Sequence, residues 1–181
     1  MTMASYGYFG DLMKHSESLR CLGRYRYDIS GVRTFLRHQS YSGTINYVSS
    51  GVSQEHVLTD SCGEGCPQCS FREDRENDDD KDDTNDDKVE KVTGKFLAIL
   101  ACNTSCRDRH AVKGMDPAAH TGDGHQDIII VHKTSYLGFL RYLVRSAYQT
   151  SHPFTLPYVK AIRVKQWEFI PDGVSLKKIN I

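Results

Sequence analysis

Residues 95–101 read KFLAILA and residues 127–132 read DIIIVH, and these two apolar runs decide the fold class. Short runs of this kind, rich in Ile, Leu and Val, are typical of strands that are buried on both faces. The longest apolar run, residues 96–102, is far shorter than the ~20 residues that a membrane-spanning helix needs. The two runs therefore predict the central strands of a globular domain.

Further strands and about three helices are predicted around these runs. Residues 41–49 alternate apolar and polar side chains, as a half-buried strand does. The other predicted strands span residues 5–10 and 157–170, and the predicted helices span residues 16–22, 29–38 and 135–148. The sum is a β-rich α+β domain.

Two of the predicted helices carry apolar residues at helical spacing, which is typical of a face that packs on a core. Asp28 is placed to cap the first of these two helices. The apolar positions are Ile29, Val32, Phe35 and Leu36 in that helix and Leu137, Leu140, Val144 and Tyr148 in the other.

The formal net charge of zero hides a strong asymmetry along the chain. Residues 73–90 hold eleven acidic and three basic side chains, a net charge of minus eight, so the remaining residues carry plus eight. This stretch has almost no apolar side chain to offset the entropy of ordering, and it predicts a disordered acidic insertion within one domain. The basic remainder favours an anionic partner, such as a nucleotide, a phospholipid surface or nucleic acid, or is simply a solvated surface.

Three of the six cysteines form a compact cluster, Cys62, Cys66 and Cys69. The first ten residues predict no secretory signal, and in a reducing cytoplasm metal binding or free thiols are favoured over disulfides. The C-x3-C-x2-C spacing on a Gly/Pro turn predicts a structural Zn²⁺ site, which needs a fourth ligand. Cys106 is the first candidate, and Cys102 and His56 are alternatives. An iron–sulfur cluster of a radical enzyme would require a larger barrel, and ordinary unliganded cysteines are the other alternative.

Neither of the glycine-rich loops that commonly bind nucleotide phosphates occurs in the sequence. Asp123 lies between Gly122 and Gly124, where it forms a turn or meets a magnesium ion. Arg20, Arg24 and Arg26 cluster after the first predicted helix and are candidates for bidentate contact with phosphate oxygens, unless they are only surface residues.

In combination, these features resemble the lipid kinase family that includes diacylglycerol, sphingosine and ceramide kinases. The first matching block reads YGYFGD at residues 6–11 and is followed by SE at 16–17, RCLG at 20–23 and RY at 26–27. It continues with KFLA at 95–98, PAAH at 117–120, GDG at 122–124, Asp127 and FLR at 139–141. The cysteine triplet is similar to that of the ceramide kinase branch.

The resemblance implies that residues 1–181 form a carboxy-terminal lipid kinase domain that is incomplete at both ends. Its fold would be a β-sandwich second domain, with lipid bound between this domain and a preceding lobe. Asp11 would lie near the acceptor hydroxyl, and the neutral Met13 would suit a lipid whose nitrogen is acylated. Arg20, Arg26 and Asp123 would face the nucleotide phosphates.

The resemblance also implies a reaction and its partners. ATP and Mg²⁺ would phosphorylate ceramide to ceramide 1-phosphate, and the catalytic residue and phosphate loop would belong to the amino-terminal lobe that this sequence lacks. No catalytic residue is expected in this chain, which would be inactive alone. An anionic membrane surface is the other expected partner, with peripheral attachment and no nucleic acid. The alternative is a non-catalytic module that binds ceramide or a membrane.

Overall fold

The computed structural model describes residues 3–49, 89–107, 111, 114–119, 124–148 and 153–172. These residues form a mixed α+β domain with one antiparallel sheet of five strands and three α-helices, which confirms the predicted class. The strands are β1 Met3–Gly7, β2 Tyr41–Ser49, β3 Val89–Cys102, β4 Gln126–His132 and β5 Val159–Pro171. The helices are α1 Tyr8–Ser18, α2 Arg26–Arg37 and α3 Tyr136–Tyr148, with 3-10 turns at Arg20–Tyr25 and Pro153–Thr155.

The sheet closes on itself because β3 and β5 are each long enough to pair with strands on both of their edges. Phe96 of β3 pairs with Tyr41 of β2 on one side and with His132 of β4 on the other. Val164 of β5 pairs in the same way with β2 and with β4. The predicted sandwich is thus a single sheet folded round into a ring, with β1 extending beside the second half of β3. Closure leaves few unpaired edges, which limits aggregation.

Alternating side chains of the strands build two separate cores, because successive residues of a strand point to opposite faces. The core inside the ring takes side chains from all four ring strands, including Ile45, Ile128, Ile130 and Val164, which are almost fully buried. The second core lies between the outer face of the sheet and the helices. It contains Leu97, Leu100, Ile129, Phe139 and Tyr142, with Tyr8, Phe9 and Phe35 packed against it.

Most predicted elements are present, but the predicted apolar helix faces are mostly exposed, and of the predicted positions only Phe35 packs against the core. Helix α2 buries Ser30 and Thr34, whereas Ile29, Val32 and Leu36 are exposed. Helix α3 buries Phe139, Tyr142 and Ser146 and exposes the apolar set that includes Leu137. Each helix therefore has apolar residues on two faces, and the aromatic residues of the inward face pack in the core. Asp28 lies in the first turn of α2 rather than at its cap.

The boundaries of three other predicted segments also differ. The first predicted strand, 5–10, ends at Gly7, because α1 begins at Tyr8. The first predicted helix, 16–22, is instead the end of α1 followed by a 3-10 turn. Val89 and Glu90, which the sequence placed in the acidic insertion, begin β3 and pair with Val48 and Tyr47. The rest of the predicted insertion, residues 73–88, lies outside the described residues.

A buried ion pair joins β4 to β5 at the edge of the ring. Arg163 donates from Nε to Asp127 Oδ1 at 2.8 Å and from Nη2 to Oδ2 at 2.9 Å. The Nη2 atom also donates to the carbonyl of Ala118 at 3.2 Å, which fastens the loop before β4. Both partners are at most 5% exposed. Removing either charge would leave the other buried without compensation.

Asp116 is a second buried carboxyl beside this ion pair, and it is fully buried. Its Oδ1 accepts a hydrogen bond from the backbone N–H of Ala118 at 3.1 Å. Burial, followed by the negative charge of Asp127, raises the pKa of Asp116 to about 8, because both disfavour the ionised form. The side chain therefore keeps its proton in the folded protein at neutral pH.

The elevated pKa of Asp116 predicts a specific pH dependence of stability. The unfolded chain releases this proton near pH 4, so the contribution of Asp116 is fully present below that pH and is lost as pH rises through about 8. In Asp116→Asn, which cannot ionise, the midpoint of thermal unfolding should fall less between pH 5 and pH 9 than in the wild type. Calorimetric melting across this range measures the difference. Asp172→Asn, at an exposed position, is the control, and parallel pH profiles for Asp116→Asn and wild type would contradict the assignment.

Candidate functional site

The predicted acceptor residue Asp11 lies half-buried in the first turns of α1, where a short turn from β1 places it. Gly7 forms that turn with a φ of 78°, and a Cβ there would lie 2.5 Å from the carbonyl oxygen of Leu97. Only glycine fits both requirements without strain. The close packing of the turn on β3 thereby fixes where α1 begins and where Asp11 sits.

Tyr41, the first residue of β2, holds the carboxylate of Asp11. Its hydroxyl donates a hydrogen bond to Asp11 Oδ2. Desolvation, then this hydrogen bond and the negative charge of Asp11, raise the pKa of Tyr41 well above its usual value. The hydroxyl therefore stays protonated and keeps donating. Tyr6 packs edge-on against Tyr41, with 5.1 Å between the ring centroids.

An open groove of about 230 Å³ lies over this pair of residues. Two glycines, Gly7 and Gly10, and one cationic side chain, Lys14, border it. The complete lining consists of Ser5, Tyr6, Gly7, Gly10, Asp11, Lys14 and Tyr41. On its other side Asp11 borders a much smaller cavity shared with Thr34, Arg37 and His38. The groove can accept a polar head group at the Asp11 carboxylate with an aromatic wall beside it.

Met13 lies on the same helix as Asp11 but does not line this groove. Residues two apart on a helix point in different directions, and Met13 is 50% exposed. The structure therefore does not bring the two predicted lipid-binding residues together. The predicted role of Met13 in head-group selection stays a prediction.

Arg20 is the first residue of the 3-10 turn that follows α1, and Arg26 is the first residue of α2, directly after that turn. The Arg20 side chain is 72% exposed and donates from Nε to Glu17 Oε2 at 2.7 Å. The Arg26 guanidinium lies over the ring of Tyr27, 4.6 Å from its centroid, and donates to the Tyr27 hydroxyl. Neighbouring side chains thus orient both guanidinium groups. Arg20 in particular remains accessible to an anion that approaches from outside the domain.

Several predicted ligands lie outside the described residues, namely Asp123, Cys62, Cys66 and Cys69. Cys106, the fourth proposed zinc ligand, is described, and its thiol is hydrogen-bonded to that of Cys102. This bond and those from Thr104 lower the pKa of Cys106 to about 6 against the opposing effect of burial. Across the described ranges, no group of three or more His, Cys, Asp or Glu side chains could hold a metal ion. The zinc site stays a prediction.

The sequence did not reveal the partner of Asp11 or the buried charges. Tyr41 appeared only as the start of a strand, and nothing in its neighbours indicates a contact with a residue thirty positions earlier. Arg163 lies in a run of apolar and basic residues that predicts an edge strand, whereas it is buried by its ion pair with Asp127. An inward-facing arginine in an apolar strand could have signalled such a pair.

The chain is similar in sequence to several known proteins. No family model matches the chain. Human ceramide kinase is 36% identical over 181 residues, which cover 93% of this chain and 33% of the human protein. Ceramide kinase 1 of Caenorhabditis elegans is 29% identical over an alignment that covers 93% of this chain and 30% of the worm protein. A structure of a candidate diacylglycerol kinase of Bacillus anthracis aligns with a TM-score of 0.47 at 13% identity, over 94% of this chain and 42% of that one.

Mouse ceramide kinase gives the same result, with 35% identity over 97% of this chain and 34% of the mouse protein. The chain thus spans about a third of the length of the curated relatives that it matches. No described helix is long and apolar enough to cross a membrane. The resemblance predicted from the sequence is confirmed as a similarity: along nearly its whole length, this chain is similar in sequence to ceramide kinases.

Proposed function

We propose that this chain is the lipid-side, carboxy-terminal part of a ceramide kinase, which phosphorylates ceramide with ATP and Mg²⁺ when a nucleotide-binding lobe is present. The observation that carries the proposal is the similarity to ceramide kinases over 93–97% of the chain, combined with the groove at Asp11. Since the chain spans a third of those proteins, the proposal assigns it only part of the machinery. The chain alone is expected to be inactive.

In this proposal Asp11 binds the primary hydroxyl of the lipid. A carboxylate in a half-buried groove can accept a hydrogen bond from an alcohol and fix the direction in which its oxygen points. Tyr41 donates to one carboxylate oxygen, which leaves the other available to the lipid. Tyr41 is thus a positioning residue. Lys14 lies at the same groove and adds positive potential where an anionic product would form.

Arg20 and Arg26 would bind the nucleotide phosphates in this proposal. ATP supplies the phosphoryl group, and stabilising its charge is the main task of a protein that catalyses such a transfer. Both side chains fit the task because guanidinium groups bind phosphate oxygens bidentately and here are already oriented by Glu17 and Tyr27. Asp123 stays a proposed contact to the same group.

The first functional prediction concerns activity in a fusion of this chain to the amino-terminal part of a ceramide kinase. Transfer of labelled γ-phosphate to ceramide should occur in the fusion and not with the chain alone. Asp11→Asn should lower kcat/KM by about tenfold or more, because the hydroxyl loses a charged acceptor. Tyr41→Phe should lower it less. Ser18→Ala, at an exposed position of the same helix, serves as the control.

The arginines provide a second prediction in the same fusion. Arg20→Ala and Arg26→Ala should each lower turnover by about tenfold, since each removes a charge-assisted contact to phosphate. Arg24→Ala is the matched control, because Arg24 lies between the two in the 3-10 turn and its guanidinium lies over the ring of Tyr25, as that of Arg26 lies over Tyr27. Equal losses in all three variants would indicate a structural effect, and full activity in Arg20→Ala and Arg26→Ala would exclude the phosphate role.

A specific surface supports peripheral membrane binding as a second function. The exposed apolar residues of α2 and α3 include Val32 at 61%, Leu36 at 65%, Leu137 at 79% and Tyr148 at 77% exposure. The two helices meet where the Tyr136 hydroxyl donates to the Leu36 carbonyl at 3.2 Å. Apolar patches of this kind on a protein surface mark interaction sites.

The charge on this surface favours an anionic bilayer as its partner. Helix α2 contains three arginines and one aspartate, and helix α3 contains two arginines and no acidic residue. Apolar side chains flanked by arginine are typical of helices that lie in the interface of an anionic membrane. The rest of a longer protein is the competing occupant of this surface.

The membrane prediction is tested by cosedimentation of the chain with vesicles. Binding should be stronger to mixed phosphatidylserine and phosphatidylcholine vesicles than to pure phosphatidylcholine and should weaken with salt. The double variant Leu137→Ser and Val144→Ser should reduce binding by about tenfold, because it removes apolar area that would be buried. Val89→Ser, an exposed apolar position on β3, is the control. Unchanged binding in the double variant would favour a protein partner for this surface.

A further inference from the structure

A small cavity that the proposed kinase function does not use lies beside Asp11. Its volume is about 10 Å³, which is about the room that one water molecule needs. Leu97 of β3 and Phe139 of α3 form apolar walls, and polar side chains of α1 and of the end of α2 complete the lining. The cavity can therefore hold one small polar molecule next to the Asp11 carboxylate.

Two buried polar atoms of the cavity lining have no hydrogen-bond partner among the described residues. They are Oγ1 of Thr34 and Nδ1 of His38. Thr34 is only 4% exposed, so bulk water does not reach its hydroxyl. A buried polar group without a partner costs stability, and such groups are rare in folded proteins. Because both atoms belong to residues that line one cavity, a single bound molecule can satisfy them together.

The contacts of His38 fix which kind of partner its Nδ1 atom needs. The Nε2 atom lies 2.8 Å from the carbonyl oxygen of Thr134, and a carbonyl can only accept, so Nε2 carries a hydrogen. In the neutral ring Nδ1 is then an acceptor. The ring also stacks on Tyr136, with 4.1 Å between the ring centroids and 24° between the planes. The orientation of the imidazole is thus fixed, and a hydrogen-bond donor fits at Nδ1.

The backbone conformation of His38 indicates that an imidazole is needed at this position. His38 ends α2 with a φ of 45°, and its N–H donates to the carbonyls of Thr34 and Phe35 at 3.3 and 3.1 Å. Glycine is the usual residue in this left-handed conformation at the end of a helix, because a Cβ makes the conformation less favourable. The side-chain contacts of a histidine must offset that cost.

We propose that this cavity binds one water molecule, through which Thr34 and His38 position the carboxylate of Asp11. The water donates one hydrogen to Nδ1 of His38 and the other to the carboxylate, and it accepts a hydrogen bond from the Thr34 hydroxyl. About three partners are typical of a buried water. The opposite charges of Asp11 and Arg37, which both border the cavity, favour a neutral molecule over an ion of either sign.

The role of this water in the kinase rests on the proposed function. Tyr41 donates to the Asp11 carboxylate from β2, and the water donates to it from the side of α2. A carboxylate has about four acceptor positions, so these two bonds leave room for the lipid hydroxyl. A carboxylate that is fixed by two bonds accepts the hydroxyl in one direction, which orients the alcohol oxygen for transfer. Thr34 and His38 are thus positioning residues.

Thermal unfolding of the chain tests the water site through the sign of a change. Thr34→Val replaces the hydroxyl by a methyl group with almost no change in helix propensity. Loss of a bond to the water should lower Tm by about 2–4 °C, whereas removal of a hydroxyl without any partner should raise Tm. A rise in Tm for Thr34→Val would overturn the water site.

Ser30→Ala is the matched control for this substitution. Ser30 lies one turn earlier in α2, is fully buried and also has no partner in the described part of the chain, but it is not part of the cavity lining. Its substitution should leave Tm unchanged or raise it. A fall in Tm of equal size in Ser30→Ala and Thr34→Val would show that the loss is not specific to the cavity and would contradict the proposal.

A double-mutant cycle in the fusion tests the link to Asp11. His38→Gln keeps a donor for the carbonyl of Thr134 but removes the acceptor at the position of Nδ1, and it should lower kcat/KM for ceramide about fivefold. His38→Asn keeps an acceptor near that position and tolerates the left-handed conformation, so it should retain most of the activity. In the Asp11→Ala background, the loss from His38→Gln should largely disappear, because no carboxylate is left to position.

A loss from His38→Gln of equal size in both backgrounds would overturn the positioning role. A wild-type fusion that does not phosphorylate ceramide would instead contradict the proposed function. The link to Asp11 is then decided by the same kind of cycle on the Tm of the chain. There the separate losses from Thr34→Val and Asp11→Ala should sum to more than the loss in the double variant, and additive losses would exclude the shared water.

Discussion

The pairing of β3 with three other strands is the constraint on which the rest of this structure depends. Its first half pairs with β2, its second half pairs with β1, and its opposite edge pairs with β4. Because β5 connects β2 and β4 in the same way, the sheet must close, and both of its faces become core. The ring fixes the positions of Gly7, Tyr41 and Cys102 relative to one another. The candidate lipid groove lies at the border of β3 that pairs with β1 and β2.

The strands of this fold could be predicted from the sequence because a strand that is buried on both faces has a continuous run of apolar residues. The apolar runs of β3 and β4 are continuous, and only a fully buried strand requires this. Ring closure could not be predicted, since strand length alone does not show which edges pair. In the sequence, Gly7 was recognisable only as part of a family motif. The structure shows why a glycine is needed there, because the backbone turns at Gly7 and packs closely against the carbonyl of Leu97.

Helix orientation shows why apolar periodicity alone was insufficient. Helix α3 carries Phe139 and Tyr142 on one face and Leu137 and Val144 on another. Its sequence therefore contains two apolar stripes at helical spacing, and periodicity does not show which of them faces the core. Phe139 and Tyr142 face the core, where large aromatic side chains bury more area than aliphatic ones. The remaining aliphatic stripe faces outward with the arginines. Asp11, Arg20 and Arg26 could be proposed as site residues from family motifs alone, and their roles stay predictions, whereas the contact of Tyr41 with Asp11 required the tertiary structure.

The central claim is that the groove formed by β1, α1 and β2 binds ceramide, and photoaffinity labelling tests it most directly. A photoactivatable ceramide, incubated with the chain and mapped by mass spectrometry, should label residues of the groove around Asp11 and Tyr41. Excess unlabelled ceramide should suppress that labelling, and Asp11→Asn should reduce it. Label that maps to the outward faces of α2 and α3 alone, or labelling that excess ceramide leaves unchanged, would contradict this account.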